Sequence, residues 1–199
     1  MELKRVVVTG LGVLSPIGND VETTWNNALK GVSGAGPITH FDASKFKTQF
    51  ACEVKNFDAN QHFDRKKLRQ LDLYAQYALV AAKQAVEDAN LEAEGINKDR
   101  VGVIVAAGIG GLHTFEEEAG YYAVHGEEQG PKYNPFFIPK MIADIASGHI
   151  SMQYGFHGPN YGVVSACASS NNAIIDAFNL IRLGKANVMV TGGAEAAIY

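Results

Sequence analysis

The sequence has 199 residues, 47% of them apolar and 19% charged, which is the composition of one globular domain with a sizeable core. A net charge of −4 argues against a general affinity for nucleic acid or for an anionic membrane. Two cysteines, Cys52 and Cys167, are too few for a disulfide framework and favour a reduced, cytoplasmic setting. No apolar stretch is long enough to predict a membrane span.

Short apolar runs and helical patterns alternate along the chain. The predicted strands cover residues 5–9, 50–54, 101–106, 163–166 and 188–191. A first helix is predicted to be capped at Asn19, with the acid Glu22 three residues on, and to end near Gly31. Further helices are predicted over 66–90, 139–154 and 173–183, with an acidic helix start at 116–118 before a polar loop at 126–132. This alternation indicates an α/β fold around a mainly parallel sheet. Apolar residues cover most of the helix over 173–183, so we expect that helix to be buried.

Two short motifs are weak matches to nucleotide and acyl-serine sites. Gly10-Leu-Gly12 follows the first strand, but Ser15 stands where a dinucleotide-binding loop needs its third glycine, so we predict a tight turn. Ser44-Lys-Phe-Lys47 matches SxxK, but the partner motifs SDN and KTG are missing. We interpret this second match as chance.

The pattern of histidines and cysteines predicts no metal and no cofactor. The six histidines lack HxxxH or HExxH spacing, and neither cysteine belongs to a CxxC pair. We expect His149 and His157 to form structural hydrogen bonds. Cys52 lies in the strand-like segment and is predicted to be an inert, buried thiol.

Cys167 is the candidate nucleophile. It lies where an apolar run ends and a helical pattern begins, which predicts a strand-to-helix turn near a helix N-terminus. The partial positive charge at such a site lowers the pKa of a thiol and favours its nucleophilic thiolate form. The neighbouring small residues Ala166, Ala168, Ser169 and Ser170 leave room for a substrate. The alternative is a cysteine packed as a small apolar residue.

Several motifs in register resemble the β-ketoacyl acyl-carrier-protein synthases of the elongating type. They lie at residues 7–18, 108–111, 134–139, 158–159, 165–170 and 192–195, and the resemblance covers essentially the whole chain. The resemblance implies a thiolase-like fold, of which residues 1–199 would be the N-terminal half, with a layered, mainly parallel sheet and a buried helix after the nucleophile.

The resemblance also implies a reaction and its partners. Cys167 would accept an acyl chain from an acyl-carrier protein as a thioester, and decarboxylative condensation with malonyl-acyl-carrier protein would give a 3-oxoacyl product. The Cys167 N–H would be one oxyanion donor. An acyl tunnel would be lined by Ile109, Phe137, Ile138 and Ala197, with Phe137 and Ile138 supplied by the neighbouring subunit of a homodimer. Ordinary core packing is the alternative for each of these four residues.

The second half of such a synthase supplies two histidines, a lysine and a gating phenylalanine, and no match to those motifs occurs in residues 1–199. We therefore expect these residues to form the N-terminal β-ketoacyl synthase domain and to be unable to catalyse condensation alone. The alternatives are a polyketide ketosynthase, another thiolase-fold condensing enzyme, and a non-catalytic scaffold subunit. The presence of Cys167 argues against a scaffold.

Overall fold

A three-stranded parallel sheet lies at the centre of the computed structural model, which describes residues 3–199. The strands are β1 (Gly36–Pro37), β2 (Phe50–Ala51), β3 (Val101–Ala106), β4 (Asn160–Tyr161) and β5 (Val188–Gly193). The central sheet has the order β4-β3-β5, with both pairs parallel, while β1 and β2 form a separate antiparallel pair. The predicted α/β class and parallel sheet are confirmed.

Helices cover both faces of β3, which explains why all six of its residues are buried. The helices are α1 (Val21–Leu29), α2 (Arg65–Leu68), α3 (Leu73–Asp88), α4 (Leu112–Gln129), α5 (Phe137–Met141), α6 (Ile145–Tyr154) and α7 (Ser169–Arg182). Alternate side chains of β3 point to opposite faces. Val101, Val103 and Val105 pack in the core formed with α3 and α6, whereas Ile104 and Ala106 pack on Ala173 of α7.

The N-terminal segment is not the buried strand that we predicted. Within the described part of the chain, residues 5–9 form no strand, and Val7 and Val8 are 59% and 79% exposed. The segment instead runs along α3, where the Leu11 N–H donates to the Asp88 carboxylate over 2.9 Å. Gly10 and Gly12 permit this approach, because a Cβ at either position would collide with the backbone of α3.

The predicted tight turn lies a few residues later than expected. Residues 10–12 form no turn and no regular secondary structure. The chain reverses at Ser15–Gly18, where the backbones of these two residues exchange N–H···O bonds of 2.8 and 3.1 Å. Helix α1 then begins after Asp20, whose carboxylate accepts from the Thr23 N–H over 2.7 Å. The cap is therefore Asp20, one residue after the predicted Asn19, because the Asp20 carboxylate and not the Asn19 side chain accepts from the first turn of the helix.

Two predicted long helices are each divided. The helix expected over 66–90 is interrupted between α2 and α3. The break occurs because the buried Asp72 is the N-cap of α3, where its carboxylate accepts from the Tyr74 N–H. The helix expected over 139–154 is interrupted between α5 and α6, where the Tyr74 hydroxyl donates to the Ile142 carbonyl over 2.5 Å. By contrast, α4 is longer than expected and includes residues 126–129 of the predicted polar loop.

The strand expected over 163–166 is also absent from the described residues. Strand β4 ends at Tyr161, because the Ser147 hydroxyl of α6 lies between β3 and the following chain. The Ser147 oxygen accepts from the Val105 N–H over 2.8 Å and lies 3.0 Å from the Tyr161 carbonyl oxygen, to which it can donate. The chain therefore leaves the sheet after Tyr161, five residues before Ala166.

Helix α7 is not buried all round, contrary to the prediction. Only Ser169, Ala173 and Ala177 are buried, along the one side that faces the sheet. Ile174, Ile175 and Phe178 are 50%, 53% and 40% exposed. The small side chains at i, i+4 and i+8 bring α7 close to the sheet, so its large apolar residues lie on the other side.

Candidate active site

Cys167 lies in a single 3-10 turn, Ala166–Ala168, between β4 and the start of α7. Its side chain is exposed, as the nucleophile hypothesis requires. The preceding Ala166 has φ of 50°, a left-handed conformation that is strained for a residue with a Cβ. Strained backbone of this kind is enriched at functional sites, and here it directly precedes the predicted nucleophile.

Two polar side chains of α7 stabilise the strained turn. The Ser169 hydroxyl accepts from the Ser165 N–H over 2.8 Å and donates to the Ala166 carbonyl over 2.7 Å. The Asn172 side-chain amide donates to the Ser165 hydroxyl over 2.6 Å. Sequence reasoning treated Ser169 only as a small residue and assigned nothing to Asn172. The signal available was their place in the first turn of α7, where serine and asparagine bond local backbone.

The Cys167 backbone N–H remains available to a substrate. Between residues 3 and 199 it donates no hydrogen bond, whereas the N–H groups of Ala168 and Ser169 bond the Ser165 and Ala166 carbonyls. It also lies at the N-terminal end of α7, where free N–H groups carry partial positive charge. This geometry suits an oxyanion that develops on a carbonyl attacked by the Cys167 sulfur.

A glycine-rich loop, Gly108–Gly111, follows β3 and lies beside the Cys167 turn. A Cβ built on Gly108 would be 3.8 Å from the Ala166 carbonyl oxygen. Three consecutive N–H groups of this loop, from Gly108, Ile109 and Gly110, donate to the Glu195 carboxylate. Sequence reasoning used Glu195 only as part of a motif. Because β5 is parallel to β3, a carboxylate just after β5 lies at the same edge of the sheet as the loop that follows β3.

The four predicted tunnel residues lie in three different segments. Ile109, in the glycine-rich loop, is 55% exposed and is the one connected to the Cys167 turn through Gly108. Phe137 and Ile138 belong to α5, which reaches the same loop because the Gly111 N–H donates to the Met141 carbonyl over 2.9 Å. Ala197 is exposed beyond β5. The structure also has two surface cavities, of about 560 and 460 Å³. Neither Cys167 nor any of the four predicted tunnel residues lines them.

An aromatic row connects α4 and α5 and includes Phe137. Ring centroids are 6.4 Å apart between Phe115 and Phe137, 5.6 Å between Phe137 and Tyr133, and 5.6 Å between Tyr133 and Tyr122. Phe115, Tyr122 and Tyr133 are each more than 40% exposed. The row leaves apolar surface open beside the predicted tunnel residues.

The other cysteine and the histidines play different parts from Cys167. Cys52 is exposed, so the prediction of a buried thiol is wrong; it follows the two-residue strand β2 at the surface. His149 is buried, with its Nδ1 3.2 Å from the Lys67 ammonium, and His157 lies 2.9 Å from the Asp99 carboxylate. The structural role expected for both histidines is confirmed. Across residues 3–199 no group of three or more potential ligands could hold a metal ion, and no helix is long and apolar enough to cross a bilayer.

Comparison with known proteins identifies the domain type. A family model described as "Beta-ketoacyl synthase, N-terminal domain" matches residues 3–199. The chain is 47% identical over 198 residues to "3-oxoacyl-[acyl-carrier-protein] synthase 2" of Staphylococcus aureus (strain N315), covering 98% of this chain and 46% of the relative. It is 45% identical over 199 residues to the protein of the same name from Synechocystis sp. (strain ATCC 27184 / PCC 6803 / Kazusa), covering 100% of this chain and 47% of the relative.

A solved structure of similar shape supports the fold. "The ishigamide ketosynthase/chain length factor" superimposes with a TM-score of 0.88 at 30% identity, covering 98% of this chain and 48% of that chain. The chain therefore spans about half the length of the proteins that it matches. The thiolase-like fold expected from the resemblance is confirmed.

Proposed function

Since the chain belongs to the β-ketoacyl synthase family, we propose that it carries the acyl-accepting nucleophile of a 3-oxoacyl acyl-carrier-protein synthase. One observation carries the proposal: Cys167 is exposed on a strained turn, with its own N–H free at the start of α7. A reactive thiol needs exposure and nearby positive potential, and this position offers both.

The first half-reaction is a thioester exchange. The Cys167 thiolate attacks the carbonyl carbon of an acyl group carried as a thioester by an acyl-carrier protein. A new C–S bond forms, and the carbonyl oxygen becomes an oxyanion near the Cys167 N–H. The intermediate then collapses, the carrier's sulfur leaves as a thiolate and takes up a proton, and the acyl chain remains on Cys167.

The second half-reaction is decarboxylative condensation. Malonyl-acyl-carrier protein loses CO₂, and the resulting carbanion attacks the Cys167 thioester to give a 3-oxoacyl product two carbons longer, with the Cys167 thiolate as leaving group. A developing enolate needs charge stabilisation. In this proposal residues 1–199 are the N-terminal domain, and groups outside them stabilise that enolate.

Fatty-acid elongation in the cytoplasm is the favoured setting, since both cysteines are exposed and suit a reducing compartment.

The acyl chain would lie between Ile109 and residues of α5. The Gly111–Met141 hydrogen bond joins the Ile109 loop to the end of α5. In the homodimer that we propose, Phe137 and Ile138 of one subunit would contact the chain held by its partner, and Ala197 would lie along the same tunnel. The exposed aromatic row next to Phe137 and the two-residue edge strand β4 both offer surface for such an interface.

Mass spectrometry of the intact protein tests the acyl-accepting role. After incubation with an acyl-acyl-carrier protein, we expect a mass increase of one acyl group, mapped by peptide digestion to Cys167. Cys167→Ala removes the adduct, whereas Cys52→Ser is the matched control and retains it, because both thiols are exposed. Acylation that persists in Cys167→Ala would contradict the proposal.

A polyketide ketosynthase is the second candidate, because the similar solved structure is named a ketosynthase/chain length factor. The identity to that protein is 30%, against 47% to the Staphylococcus aureus relative named 3-oxoacyl-[acyl-carrier-protein] synthase 2. Competing incubation with saturated acyl and 3-oxoacyl thioesters separates the two. Preferential acylation of Cys167 by the saturated chain favours elongation, and preference for the 3-oxo chain favours the polyketide alternative.

A further inference from the structure

The Glu195 carboxylate receives a set of backbone hydrogen bonds that no part of the proposed reaction uses. The N–H groups of Gly108 and Ile109 donate to Oε2 over 2.7 and 2.8 Å, and the Gly110 N–H donates to Oε1 over 3.3 Å. Since β3 and β5 are parallel, with Ala106 opposite Gly193, both segments leave the sheet at the same edge. The Glu195 carboxylate therefore connects the segment after β5 to the loop after β3.

The same loop is fixed at its far end by the connection between α5 and α6. The Gly111 N–H donates to the Met141 carbonyl over 2.9 Å, and a Cβ on Gly110 would lie only 2.8 Å from that oxygen. Gly110 has φ of +87°, which a residue with a side chain adopts only with strain. Ile109 is held between these two attachments, so the direction of its side chain depends on both.

The attachment at Glu195 is adjacent to the nucleophile. A Cβ built on Gly108 would lie 3.0 Å from the Glu195 Oε2 and 3.8 Å from the carbonyl oxygen of Ala166, the residue before Cys167. The Gly193 backbone packs directly on the Ser170 side chain, three residues after Cys167. The loop, the carboxylate and the cysteine turn thus form one packed unit.

We propose that Glu195 is a positioning residue for acyl selection: its carboxylate holds the Gly108–Gly111 loop so that Ile109 limits the length of the chain carried by Cys167. This inference rests on the proposed function, because it assumes that Cys167 carries an acyl chain. An anionic acceptor is suited to the task, since charge-assisted hydrogen bonds are shorter and stronger than neutral ones. With the carboxylate removed, three N–H groups turn to solvent and Ile109 is free to move.

Two substitutions at Glu195 test its charge and its reach in turn, and the inference requires both. Glu195→Gln keeps the size but puts an N–H₂ group in place of one acceptor oxygen, which no longer matches a loop that presents only donors. Glu195→Asp keeps the charge but withdraws the carboxylate by one methylene, or about 1.5 Å. Glu94→Gln, at an exposed glutamate between α3 and β3, is the matched control.

The first readout is hydrogen exchange of the peptide covering residues 107–112, which requires no substrate. We expect at least tenfold faster exchange of the 108–110 amides in Glu195→Gln and Glu195→Asp than in Glu94→Gln. The second readout is the rate of Cys167 acylation in the intact protein by six-carbon and sixteen-carbon acyl-acyl-carrier proteins. We expect the long-to-short ratio to rise at least fivefold in both Glu195 variants, while alkylation of Cys167 by iodoacetamide stays within twofold.

The outcomes distinguish this inference from the proposed function. A wild-type protein whose Cys167 is alkylated but never acylated overturns the function, and the inference with it. Normal acylation with an unchanged long-to-short ratio in both Glu195 variants overturns the inference alone. Loss of cooperative unfolding in both variants also overturns it, because Glu195 would then be required for folding rather than for positioning the loop.

Discussion

The Ser147 hydroxyl occupies the place that a neighbouring strand would take beside Val105. Earlier in β3, the Val103 N–H donates to the Pro159 carbonyl over 2.8 Å, as in an ordinary parallel ladder. Two residues later the Val105 N–H meets the Ser147 oxygen over 2.8 Å, and that hydroxyl lies 3.0 Å from the Tyr161 carbonyl oxygen. The inserted hydroxyl separates β3 from the following chain, which then turns towards Cys167.

Ser147→Ala should destabilise the domain, because it removes a fully buried hydroxyl and leaves the N–H of the buried Val105 without a partner. A buried donor without an acceptor costs about 1–3 kcal/mol of unfolding free energy. Urea denaturation followed by circular dichroism measures the difference. Ser33→Ala, at an exposed serine, is the control and should change stability by less than about 0.5 kcal/mol. Equal effects of both substitutions would contradict the buried role.

Tyr74→Phe should also destabilise the domain. Tyr74 is fully buried, and its hydroxyl donates to the Ile142 carbonyl at the break between α5 and α6. Burial holds the pKa of this phenol well above its usual range, so the hydroxyl is a donor at all ordinary pH values. Loss of the bond should cost about 1–2 kcal/mol in the same denaturation measurement.

Tyr121→Phe is the matched control for Tyr74→Phe. The Tyr121 hydroxyl bonds Gln129 at an exposed position, where water replaces the lost partner. A loss of stability as large as that of Tyr74→Phe would show that the buried bond to Ile142 has no special importance.

The stability of the domain should fall with acid as His149 is forced to take up a proton. Burial, with a smaller contribution from the Lys67 ammonium, lowers the pKa of His149 from 6.5 to about 4. The unfolded chain binds this proton near pH 6.5 and the folded chain only near pH 4, so the stabilisation is complete above pH 6.5 and is lost as pH falls towards 4. A difference of this size corresponds to about 3 kcal/mol at most.

Two variants isolate the contribution of His149 from that of the carboxylates, which also titrate near pH 4. His149→Gln should flatten the fall in unfolding free energy between pH 6.5 and 4 relative to wild type. Lys67→Met should weaken it, because the neighbouring charge and its contact with Nδ1 are removed. A wild-type slope that persists in His149→Gln would assign the acid sensitivity to other groups.

Ala166→Gly and Ala168→Gly should change stability in opposite directions. Ala166 has φ of 50°, which glycine adopts without strain, so the first substitution should stabilise the domain by about 0.5–1 kcal/mol. Ala168 has φ of −92°, and a glycine there should destabilise the domain by about 0.5–1 kcal/mol, because it only adds freedom to the unfolded chain. Thermal unfolding compares the two, and destabilisation by both would argue against strain at Ala166.

Sequence reasoning succeeded where a pattern depends on local chemistry. The uninterrupted apolar run at 101–106 correctly predicted β3. The pattern after Cys167 correctly predicted a helix, although α7 begins at Ser169, four residues before the predicted start at residue 173. It failed where a side chain from elsewhere competes with the local pattern. Asp72 ends a predicted helix by capping α3, and Ser147 ends a predicted strand by bonding Val105. The apolar pattern of the sequence indicates neither hydrogen bond.

The candidate site was only partly predictable for the same reason. Cys167 and the glycine-rich loop around Ile109 are recognisable from sequence, but the supports of that site are not. Glu195 is separated from Gly108 by 87 positions in the chain, and the two meet because their strands are parallel neighbours.

The sequence by itself determined the α/β class and the family, and it supplied the candidate nucleophile Cys167, because apolar periodicity and short motifs are properties of adjacent residues. The tertiary structure alone decided which segments join the sheet, which side of α7 is covered and which carboxylate holds the Ile109 loop. Those features depend on contacts between distant residues, and such contacts exist only after the backbone has brought β3, β5 and α7 together.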